Sequence, residues 1–454
     1  MNKEKTIMIV GSGAREHTIS NAYEKNEGVK RVIITPGNDF MTYNRSKEVI
    51  VDKESSLKDA ESILRVAEKY KPDIIDVAQD DALAIGVVDL LTEKGFKVFG
   101  PTKKAARIEW DKEWSREFMK RNNIPIPEYE SFDNEEVAEE YVKKIYEKEP
   151  KKLLYIKASG LCAGKGALKT TNVREALENI KMMKTFGEAG KNFLIEEGLI
   201  GEEYSYYAIS DGKTFKVFKS AQDNKTINDY DEGEQTGGMG AISPARVTED
   251  IEEKIIEEQV RKVIEGMKKE GTPFKGILYV GGIVNNRKIK TIEYNARWGD
   301  PECQVVLPAL KNDYAEVVEA CIEGTLDRIN IELDDKARMC VVGALRGYPE
   351  DYSKAKNKEV RGIEEVNKKE GITILGAGIK NVEGRILTNG GRIFSIVGEG
   401  EDIKEAKKKA YEAMAMISIE GNNLHYRTDI GWRDIERIDE KSVRFINTKV
   451  LYSL

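Results

Sequence analysis

The chain has 454 residues, of which 40% are hydrophobic and 34% are charged, and its formal net charge is -7. A chain of this length folds into roughly two to four domains. Because proteins neutralise nucleic-acid phosphates with an excess of Lys and Arg, the acidic balance argues against a nucleic-acid partner.

The small numbers of histidine and cysteine residues argue against several further classes of protein. The sequence holds only two histidines, which argues against a His-rich metal site and against a Ser–His–Asp hydrolase. The four cysteines form no CxxC pair, so we expect reduced thiols rather than disulfides or a zinc site. The first apolar run, residues 6–10, is shorter than a signal-peptide core, and no stretch approaches the roughly 18 apolar residues of a membrane span. We therefore expect a cytoplasmic protein without a membrane partner.

Residues 5–100 alternate apolar strands with helical stretches. The strands are expected at KTIMIV, KRVIIT, EVIVD, PDIIDVA and KVFG, with a helix at SLKDAESILRVAEKY. This alternation is typical of a doubly wound parallel sheet.

A glycine loop follows the first strand, in the sequence IMIVGSGAREH. Gly11 and Gly13 lie at a strand-to-helix turn, where backbone N–H groups and the helix N-terminus favour an anion. We also expect a positive φ at Gly13, which a branched side chain would strain. Glu16 occupies the position of the third glycine of a dinucleotide fingerprint, so an NAD site is disfavoured. A tight turn without a ligand remains the alternative.

A second glycine loop lies further along the chain. Residues 104–120 predict one amphipathic helix, which the prolines of NNIPIPEY end. The strand KLLYIK then leads into KASGLCAGKGALK, from Lys157 to Lys169. A Walker loop would require glycine at position 159, which is Ser159, and Ser or Thr at position 166, which is Gly166. This segment is therefore not a P-loop. It indicates a mobile loop that folds over nucleotide phosphates, with a flexible surface hairpin as the alternative.

Two acidic segments suggest ligand contacts. In LIEEGLIGEEYS a carboxylate can accept hydrogen bonds from ribose hydroxyls beside a hinge that reads adenine, although a solvated acidic turn is the commoner fate. In KTIEYNARWGDPECQ, Glu293 and Asn295 lie two apart on a strand and share a face with Arg297. Two oxygen ligands on one face suit Mg²⁺, and a half-exposed polar strand is the alternative.

The pattern changes from about residue 330. Strands are expected at ARMCVVGAL, ITILGAGI and GRIFSIVG, followed by a Lys-rich helix near 402–418. This segment is typical of a small α+β domain.

Taken in order, the motifs cover nearly the whole chain. They are GSGAREH, PGN, E-x-D-K-x-W, KASGLCAGKG, IEEGLIGEEYS, AQDNK, QTGGMGAISP, IEYNARWGDPE, GYPEDY, TNGGR and YRTDIGW. Together they resemble the phosphoribosylamine–glycine ligases, a family of the ATP-grasp superfamily. The resemblance implies an N-terminal substrate-binding α/β domain at 1–103, an ATP-grasp domain at 104–328 with a mobile lid at about 125–198, and a C-terminal α+β domain at 329–454.

The resemblance also implies an activity. Members of the family join glycine to 5-phospho-D-ribosylamine in the second step of de novo purine biosynthesis, and ATP becomes ADP and phosphate through a glycyl phosphate intermediate. The expected cofactors are ATP and Mg²⁺ or Mn²⁺. We expect a monomer, with a weak homodimer as the alternative.

Residue roles follow from the same resemblance. The residues expected to bind ATP are Lys112, Lys157, Gly160, Gly164, Lys165, Gly166, Glu196 and Glu203. Within this set Lys112 and Lys157 are expected to contact the phosphates. Glu196 is expected at the adenine hinge, and Glu203 is expected to bind the ribose. The metal ligands are Glu293 and Asn295, and the catalytic residues are Arg297, Asp223 and Lys225. The residues expected to bind the other substrates are Gly11, Gly13, Arg15, Glu16, Asp80, Gly299 and Asp300.

Some positions depart from the family pattern. Ala78, Gln79 and Asp80 occupy the place of a common Gly-Pro-Glu, Ser159 replaces an Asp, and Asn224 replaces a His. These departures leave open a related ligase with a different amine or amino acid substrate. A nucleotide-binding protein without ligase activity is a further alternative, which the presence of the expected lysine and metal ligands disfavours.

Overall fold

A five-stranded parallel sheet forms the first part of the computed structural model, which describes residues 4–162 and 165–439. Its strands are β1 Lys5–Gly11, β2 Val29–Pro36, β3 Glu48–Val51, β4 Ile74–Val77 and β5 Val98–Phe99, in the order β3-β2-β1-β4-β5. The helices between them are α1 Ala14–Glu24, α2 Ala60–Tyr70, α3 Asp80–Ile85 and α4 Val87–Glu93. The predicted doubly wound sheet is confirmed. The strand order reverses between β1 and β4, and such sheets bind ligands beside the carboxyl ends of the strands at that point.

Two helices, not one, follow this sheet. The predicted continuous helix at 104–120 is wrong at one residue, because α5 Lys103–Trp110 and α6 Lys112–Arg121 are separated by Asp111. The backbone of Asp111 is extended, with φ -130° and ψ 92°, and its carboxylate accepts a hydrogen bond from the Trp114 N–H. Side-chain capping of this kind overrides a continuous apolar periodicity. As a result Lys112 occupies the first turn of α6.

An antiparallel sheet with two helices forms the next unit. Its strands are β6 Tyr129–Phe132, β7 Leu154–Ala158, β8 Ala167–Thr170 and β9 Phe193–Glu197, in the order β6-β9-β7-β8. The helices are α7 Glu135–Lys148 and α8 Val173–Met182, and their apolar residues share one core with the strands. The KASGLCAGKG loop joins β7 to β8. The predicted ATP contact Gly164 lies outside the described residues.

A second antiparallel sheet faces the first across a cleft. It comprises β10 Glu202–Asp211, β11 Phe215–Val217, β14 Lys275–Asn285 and β15 Lys288–Asn295, in the order β11-β10-β14-β15. Between these strands run β12 Gln222–Asp223, β13 Gly240–Ser243, α9 Glu252–Ile255, a π-helical segment Ile256–Arg261 and α10 Lys262–Lys269. The chain then forms α11 Cys303–Val306 and α12 Tyr314–Glu323.

The C-terminal elements build a sheet that reaches back into the middle of the chain. They are β16 Ala337–Leu345, β17 Val360–Arg361, α13 Ile363–Asn367, β18 Ile372–Gly376, β19 Ile379–Val382, β20 Arg385–Thr388, β21 Arg392–Gly400, α14 Ile403–Met414, β22 Ser418–Ile419 and β23 Leu424–His425. The sheet order is β12-β13-β16-β21-β18, with β23 also paired to β16. Two strands from residues 222–243 therefore belong to the same sheet as the C-terminal strands, so the elements around the cleft are tied to the C-terminal region.

The cysteines and the helix lengths bear on two expectations from the sequence, reduced thiols and the absence of a membrane span. All four cysteines are free, as expected, namely Cys162, Cys303, Cys321 and Cys340. Across residues 4–162 and 165–439, no helix combines the length and the apolar character needed to span a bilayer.

Candidate active site

A cleft of about 350 Å³ is lined by residues from both antiparallel sheets and from α6. It collects most of the predicted site residues, although they are scattered over more than 200 positions of sequence. Those that line it are Asp80, Lys112, Lys157, Gly166, Glu196, Glu203, Asp223, Lys225, Glu293, Asn295, Arg297, Gly299 and Asp300. The predicted residues outside its lining are Gly11, Gly13, Arg15, Glu16, Gly160 and Lys165.

Two lysines reach the cleft from opposite elements. Lys157 projects from β7, and Lys112 lies on the first turn of α6, where its Nζ is 3.4 Å from the carbonyl oxygen of Gly160. Burial lowers the pKa of Lys112, although the carboxylate of Glu293 opposes the shift. The ammonium groups of these lysines supply positive charge to the cleft wall, which suits a polyanionic ligand.

A buried ion-pair cluster fixes Lys157. The carboxylate of Glu196, 1% exposed, lies 2.7 Å from Lys157 Nζ and 2.6 Å from Arg116 Nε. Burial opposes ionisation of Glu196, but Arg116 and Lys157 together lower its pKa to about 2. Arg116 also donates a hydrogen bond to the carbonyl oxygen of Ile292. The side chain of Glu196 therefore positions Arg116 and Lys157. An adenine edge at this hinge would be contacted by the neighbouring backbone instead.

Glu293 and Asn295 lie on one face of β15 beside the lysines. Burial raises the pKa of Glu293, but the surrounding cations, led by Lys225 and Lys112, lower it overall and favour the carboxylate. Within the described part of the chain, no side chain donates a hydrogen bond to this carboxylate. The Asn295 amide oxygen accepts a hydrogen bond from Arg297, and its buried amide nitrogen has no described acceptor. The ionised carboxylate and the amide oxygen both have lone pairs left to coordinate a cation, and oxygen ligands of this kind suit a divalent cation such as Mg²⁺.

Arg297 is held from three sides. Its guanidinium lies 2.8 Å from Glu109 Oε1 and donates hydrogen bonds to Asn295 Oδ1 at 3.1 Å and to the Trp298 carbonyl oxygen at 3.1 Å. Glu109 Oε2 in turn accepts a hydrogen bond from the Ala296 N–H at 2.7 Å. These contacts place a fixed positive charge beside the two predicted metal ligands.

The predicted catalytic pair Asp223 and Lys225 follows β10 in the chain and lines the same cleft. Lys225 Nζ lies 3.3 Å from Glu203 Oε2, and this carboxylate raises the pKa of Lys225 well above its usual value. Glu203, the predicted ribose ligand, is therefore paired with a lysine in the structure described. Its side chain remains half exposed, so a hydroxyl-bearing ligand can reach it.

Residues of the GSGAREH loop form hydrogen bonds with one another. The Gly13 N–H donates a hydrogen bond to Glu16 Oε2 at 2.6 Å, and Glu16 Oε1 pairs with Arg15 Nε at 2.6 Å. The expected positive φ at Gly13 is wrong, because its φ is -94°; the positive value, 151°, belongs to Gly11. In this structure the Glu16 carboxylate accepts the hydrogen bond of the Gly13 N–H, which the sequence analysis had placed near an anion. Arg15 extends to the Trp298 carbonyl oxygen at 3.0 Å and so ties the loop to the cleft wall.

Several cleft residues escaped the sequence-based assignment. Glu109 and Arg116 serve as partners of predicted residues, and Glu302 is a buried carboxylate on the cleft wall. Arg392, from the TNGGR motif, does not line the cleft but supports its wall, since it donates hydrogen bonds to the carbonyl oxygens of Gly237 and Asp300 at 2.7 and 2.8 Å. Glu109, Glu302 and Arg392 belong to motifs named in the sequence analysis, whereas Arg116 belongs to none, and only the tertiary structure shows which partners these residues contact.

Four of the five positions that depart from the family pattern, Ala78, Gln79, Ser159 and Asn224, lie outside the cleft lining. Ser159 Oγ donates a hydrogen bond to Asp111 Oδ1 at 3.2 Å and accepts one from the Glu113 N–H, so it supports the start of α6. Ala78 and Asn224 are buried and do not line the cleft. Asp80, after the carboxyl end of β4, does line it.

Sequence models of the phosphoribosylglycinamide synthetase N domain, ATP-grasp (A) domain and C domain match residues 5–109, 110–303 and 338–433. The chain belongs to the phosphoribosylglycinamide synthetase family. It is 37% identical to a phosphoribosylamine–glycine ligase of Caldanaerobacter subterraneus, over 93% of this chain and 99% of that protein. A bifunctional purine biosynthetic protein of Dictyostelium discoideum is also 37% identical over 99% of this chain, which spans 57% of the length of that larger protein.

Solved structures show the same fold. A phosphoribosylamine–glycine ligase of Thermotoga maritima superposes with a TM-score of 0.77 at 32% identity, covering 94% of this chain and all of that one. The biotin carboxylase domain of a Hydrogenobacter thermophilus 2-oxoglutarate carboxylase has a TM-score of 0.69 over 92% of this chain and 91% of that one, at 17% identity. The second likeness concerns the fold alone. The mixed α/β multidomain architecture of this synthetase family is thus present along nearly the whole chain.

Proposed function

We propose that this chain joins the carboxylate of glycine to the amine of 5-phospho-D-ribosylamine, giving glycinamide ribonucleotide, while ATP becomes ADP and phosphate. The observation that carries the proposal is the convergence of Lys112, Lys157, Glu293, Asn295 and Arg297 on one cleft in a member of the synthetase family. We further propose that the domain limits of the sequence analysis apply and that the protein works in the cytoplasm as a monomer.

A carboxylate reacts poorly with an amine because its leaving group would be oxide. Attack of a glycine carboxylate oxygen on the γ-phosphorus of ATP breaks the bond to ADP and forms glycyl phosphate. The amine nitrogen then attacks the glycyl carbonyl carbon, the carbon–oxygen bond to phosphate breaks, and the nitrogen loses a proton. This route requires alignment and charge neutralisation rather than a nucleophilic side chain.

The cleft supplies cations for this chemistry. Lys112 and Lys157 reach it from two elements and are placed to bind the phosphates of ATP. Glu196 holds Lys157 at 2.7 Å, which limits how far its ammonium can move. The loop from Gly160 to Gly166, which we propose as part of the lid, joins the strands beside this site and would exclude water from a reactive acyl phosphate.

The residues present fit a divalent cation, Mg²⁺ or Mn²⁺. Glu293 and Asn295 would hold it, since the carboxylate is ionised and no described donor occupies it. When bound, such an ion neutralises phosphate charge and polarises the transferred phosphoryl group. Arg297, fixed by Glu109 and Asn295, is placed to stabilise the carboxylate or the phosphoryl oxygens next to these ligands.

The contacts of the residues that differ from the family pattern favour glycine and phosphoribosylamine as substrates over a different amine or amino acid. Ser159 supports α6, and Ala78 and Asn224 are buried away from the cleft lining, so these changes alter the scaffold. Asp80 alone among the departures lines the cleft. Among the departures from the family pattern, Asp80 is therefore the position placed to contact a substrate directly.

The test is incubation with ATP, glycine and phosphoribosylamine generated in situ from ribose 5-phosphate and ammonia, with the product identified by mass. Glycine carrying ¹⁸O in its carboxylate should transfer one ¹⁸O atom to the released phosphate, because that oxygen leaves with the phosphoryl group. Reactions without ribose 5-phosphate, or with L-alanine in place of glycine, serve as controls. ADP release that requires another amino acid, or phosphate without ¹⁸O, would overturn the proposal.

A further inference from the structure

A short hairpin forms one edge of the cleft. In residues 225–236 the Thr236 N–H donates a hydrogen bond to the carbonyl oxygen of Lys225 at 2.8 Å, and Thr226 pairs with Gln235 as an antiparallel bridge. We call this segment the cleft hairpin. Its two ends line the cleft at Lys225, Gln235 and Thr236, whereas its tip does not. The place of Lys225 in the cleft therefore depends on what holds the hairpin.

The tip of the cleft hairpin has a backbone that is unfavourable by itself. Tyr230 and Asp231 have φ values of 57° and 61°, in the left-handed region that residues with a side chain rarely adopt. No residue from Asp229 to Asp231 is buried, so the tip has no core of its own. Such a conformation persists only where surrounding contacts hold it.

These contacts come from the C-terminal region, at residues 425–433. The Tyr230 N–H donates a hydrogen bond to Asp429 Oδ2 at 2.7 Å, and the Thr428 N–H donates one to Asp229 Oδ1 at 2.9 Å. The members of each pair are 199 positions apart in the sequence. The tip is therefore attached to the YRTDIGW motif. None of residues 425–433 lines the cleft, so the influence of this motif on the cleft is indirect.

Arg427 is the centre of this attachment. Its side chain is 0% exposed, and its guanidinium donates hydrogen bonds to Thr226 Oγ1 at 2.8 Å and to the Thr226 carbonyl oxygen at 3.2 Å. Two more go to the carboxylate of Asp429 at 2.8 and 2.6 Å, and Asp231 Oδ1 lies 3.3 Å away. Burial opposes ionisation of Asp429, but Arg427 lowers its pKa and keeps the pair charged. One buried cation thus joins the residue next to Lys225 to the tip of the hairpin.

We propose that Arg427 is a positioning residue of the ligation reaction, which holds the cleft hairpin so that Lys225 stays beside Glu203. The inference rests on the proposed function and on the predicted catalytic role of Lys225, since Arg427 itself does not line the cleft. Without Arg427 the tip would relax from its left-handed backbone, and Lys225 Nζ would leave its place 3.3 Å from Glu203 Oε2. A lysine cannot replace Arg427, because an ammonium lacks the planar fork that serves Asp429 and Thr226 at once.

The experiment compares wild type with Arg427→Lys and with Thr226→Val, which keeps the shape of the side chain and removes only the hydroxyl acceptor. ADP release with glycine and phosphoribosylamine gives kcat and KM for ATP, well below the unfolding midpoint of each variant. We expect kcat to fall at least tenfold for Arg427→Lys and at least threefold for Thr226→Val. KM for ATP should stay within threefold, because Lys112 and Lys157 lie on other elements.

Arg338→Lys is the matched control. Arg338 is 3% exposed, pairs with two carboxylates, Asp334 and Glu399, and lies outside the cleft lining. The same replacement at this buried arginine should leave kcat within twofold of wild type, even where the unfolding midpoint falls as far as that of Arg427→Lys.

A double-mutant cycle separates positioning from a general loss of stability. If Arg427 acts through Lys225, Arg427→Lys should lower kcat less than twofold further when it is introduced into Lys225→Met, because the positioned group is already absent. A purely structural effect would instead multiply with the loss that Lys225→Met causes.

The outcomes separate this inference from the proposed function. Circular dichroism shows which variants are folded, and Thr226→Val decides if Arg427→Lys does not fold. Wild-type kcat in the folded variants, wild-type kcat in Lys225→Met, or multiplied losses in the double variant each overturn the positioning role alone. Absence of product from wild type with glycine overturns the proposed function itself.

Discussion

Lys157 Nζ lies 2.7 Å from Glu196 Oε2, and the same carboxylate lies 2.6 Å from Arg116 Nε. One buried anion therefore connects a lysine of β7 to α6, which lies beside the cleft. Because the Glu196 side chain is 1% exposed, its charge is stabilised by these two cations rather than by water.

Glu196→Gln should weaken ATP binding and stability together. Removing one member of a buried ion pair leaves the other charges uncompensated, which costs about 3 kcal/mol of unfolding free energy. Lys157 also loses its anchor, so KM for ATP should rise about tenfold, a loss of about 1.4 kcal/mol of binding. Urea unfolding and steady-state kinetics measure the two effects. The control is Glu197→Gln at the next position, where the partly exposed pair with Lys290 should contribute less than about 1 kcal/mol.

The same residue predicts an acid dependence. Its folded pKa of about 2 lies below the roughly 4.3 of an unfolded Glu, so the unfolded state binds the proton more readily. The stabilisation is present above pH 4.3 and is lost as the pH falls toward 2. Between pH 5 and pH 2, wild type should lose about 3 kcal/mol more unfolding free energy than Glu196→Gln. Parallel curves for the two proteins would contradict this assignment.

Much of the site could be predicted from the sequence, and the reason is physical. Side chains alternate between the two faces of a strand, so residues two apart point to the same face. The placement of Glu293 and Asn295 on one face of β15 therefore follows from their spacing alone. The partners of Lys157 do not follow from spacing, since Arg116 and Glu196 are 80 residues apart. The two-helix form of 103–121 was missed because one capping aspartate interrupts an unbroken apolar pattern. Likewise, the internal hydrogen bond at Gly13 depends on a rotamer of Glu16 that no periodicity encodes.

Glu293→Gln should abolish turnover while the fold survives. A neutral amide is a much poorer partner for Mg²⁺ than the carboxylate, and the Glu293 carboxylate accepts no hydrogen bond from the described side chains, so few structural contacts are lost. We expect ADP release at least a hundredfold below wild type, with an unchanged circular dichroism spectrum. Near-normal ADP release by the folded variant would remove Glu293 from the metal site.

The loop from Gly160 to Gly166 should be protected by nucleotide. Lys165 is exposed and offers trypsin a cleavage site within the loop. If the loop closes over bound phosphates, ATP with Mg²⁺ should slow cleavage after Lys165 several-fold, measured by the appearance of the two fragments. Lys165→Gln identifies these fragments by their loss. Equal cleavage rates with and without nucleotide would indicate a structural hairpin.

The last prediction concerns Gly13 and the phosphoribosyl group. A Cβ atom at this position would lie 3.1 Å from Glu16 Oε2 and 3.3 Å from Asp300 Oδ2, which is tight but tolerable for a methyl group. The backbone at Gly13 is extended, with φ -94°, so the effect of a substitution is steric rather than conformational. Gly13→Ala should therefore behave nearly as wild type, whereas the branched Gly13→Val should displace Glu16 and Asp300.

Because Asp300 lines the cleft and Arg15 ties this loop to Trp298, the displacement should reach the phosphoribosylamine pocket. The lysines that we assign to ATP phosphates project from α6 and β7, away from this loop. We expect Gly13→Val to raise KM for phosphoribosylamine at least tenfold and to leave the affinity for ATP within twofold of wild type. Phosphoribosylamine is generated in the assay from ribose 5-phosphate and ammonia, and ATP binding is followed by thermal shift. A parallel loss of both affinities would mean that the variant misfolds, and an unchanged KM would place the sugar phosphate away from the GSGAREH loop.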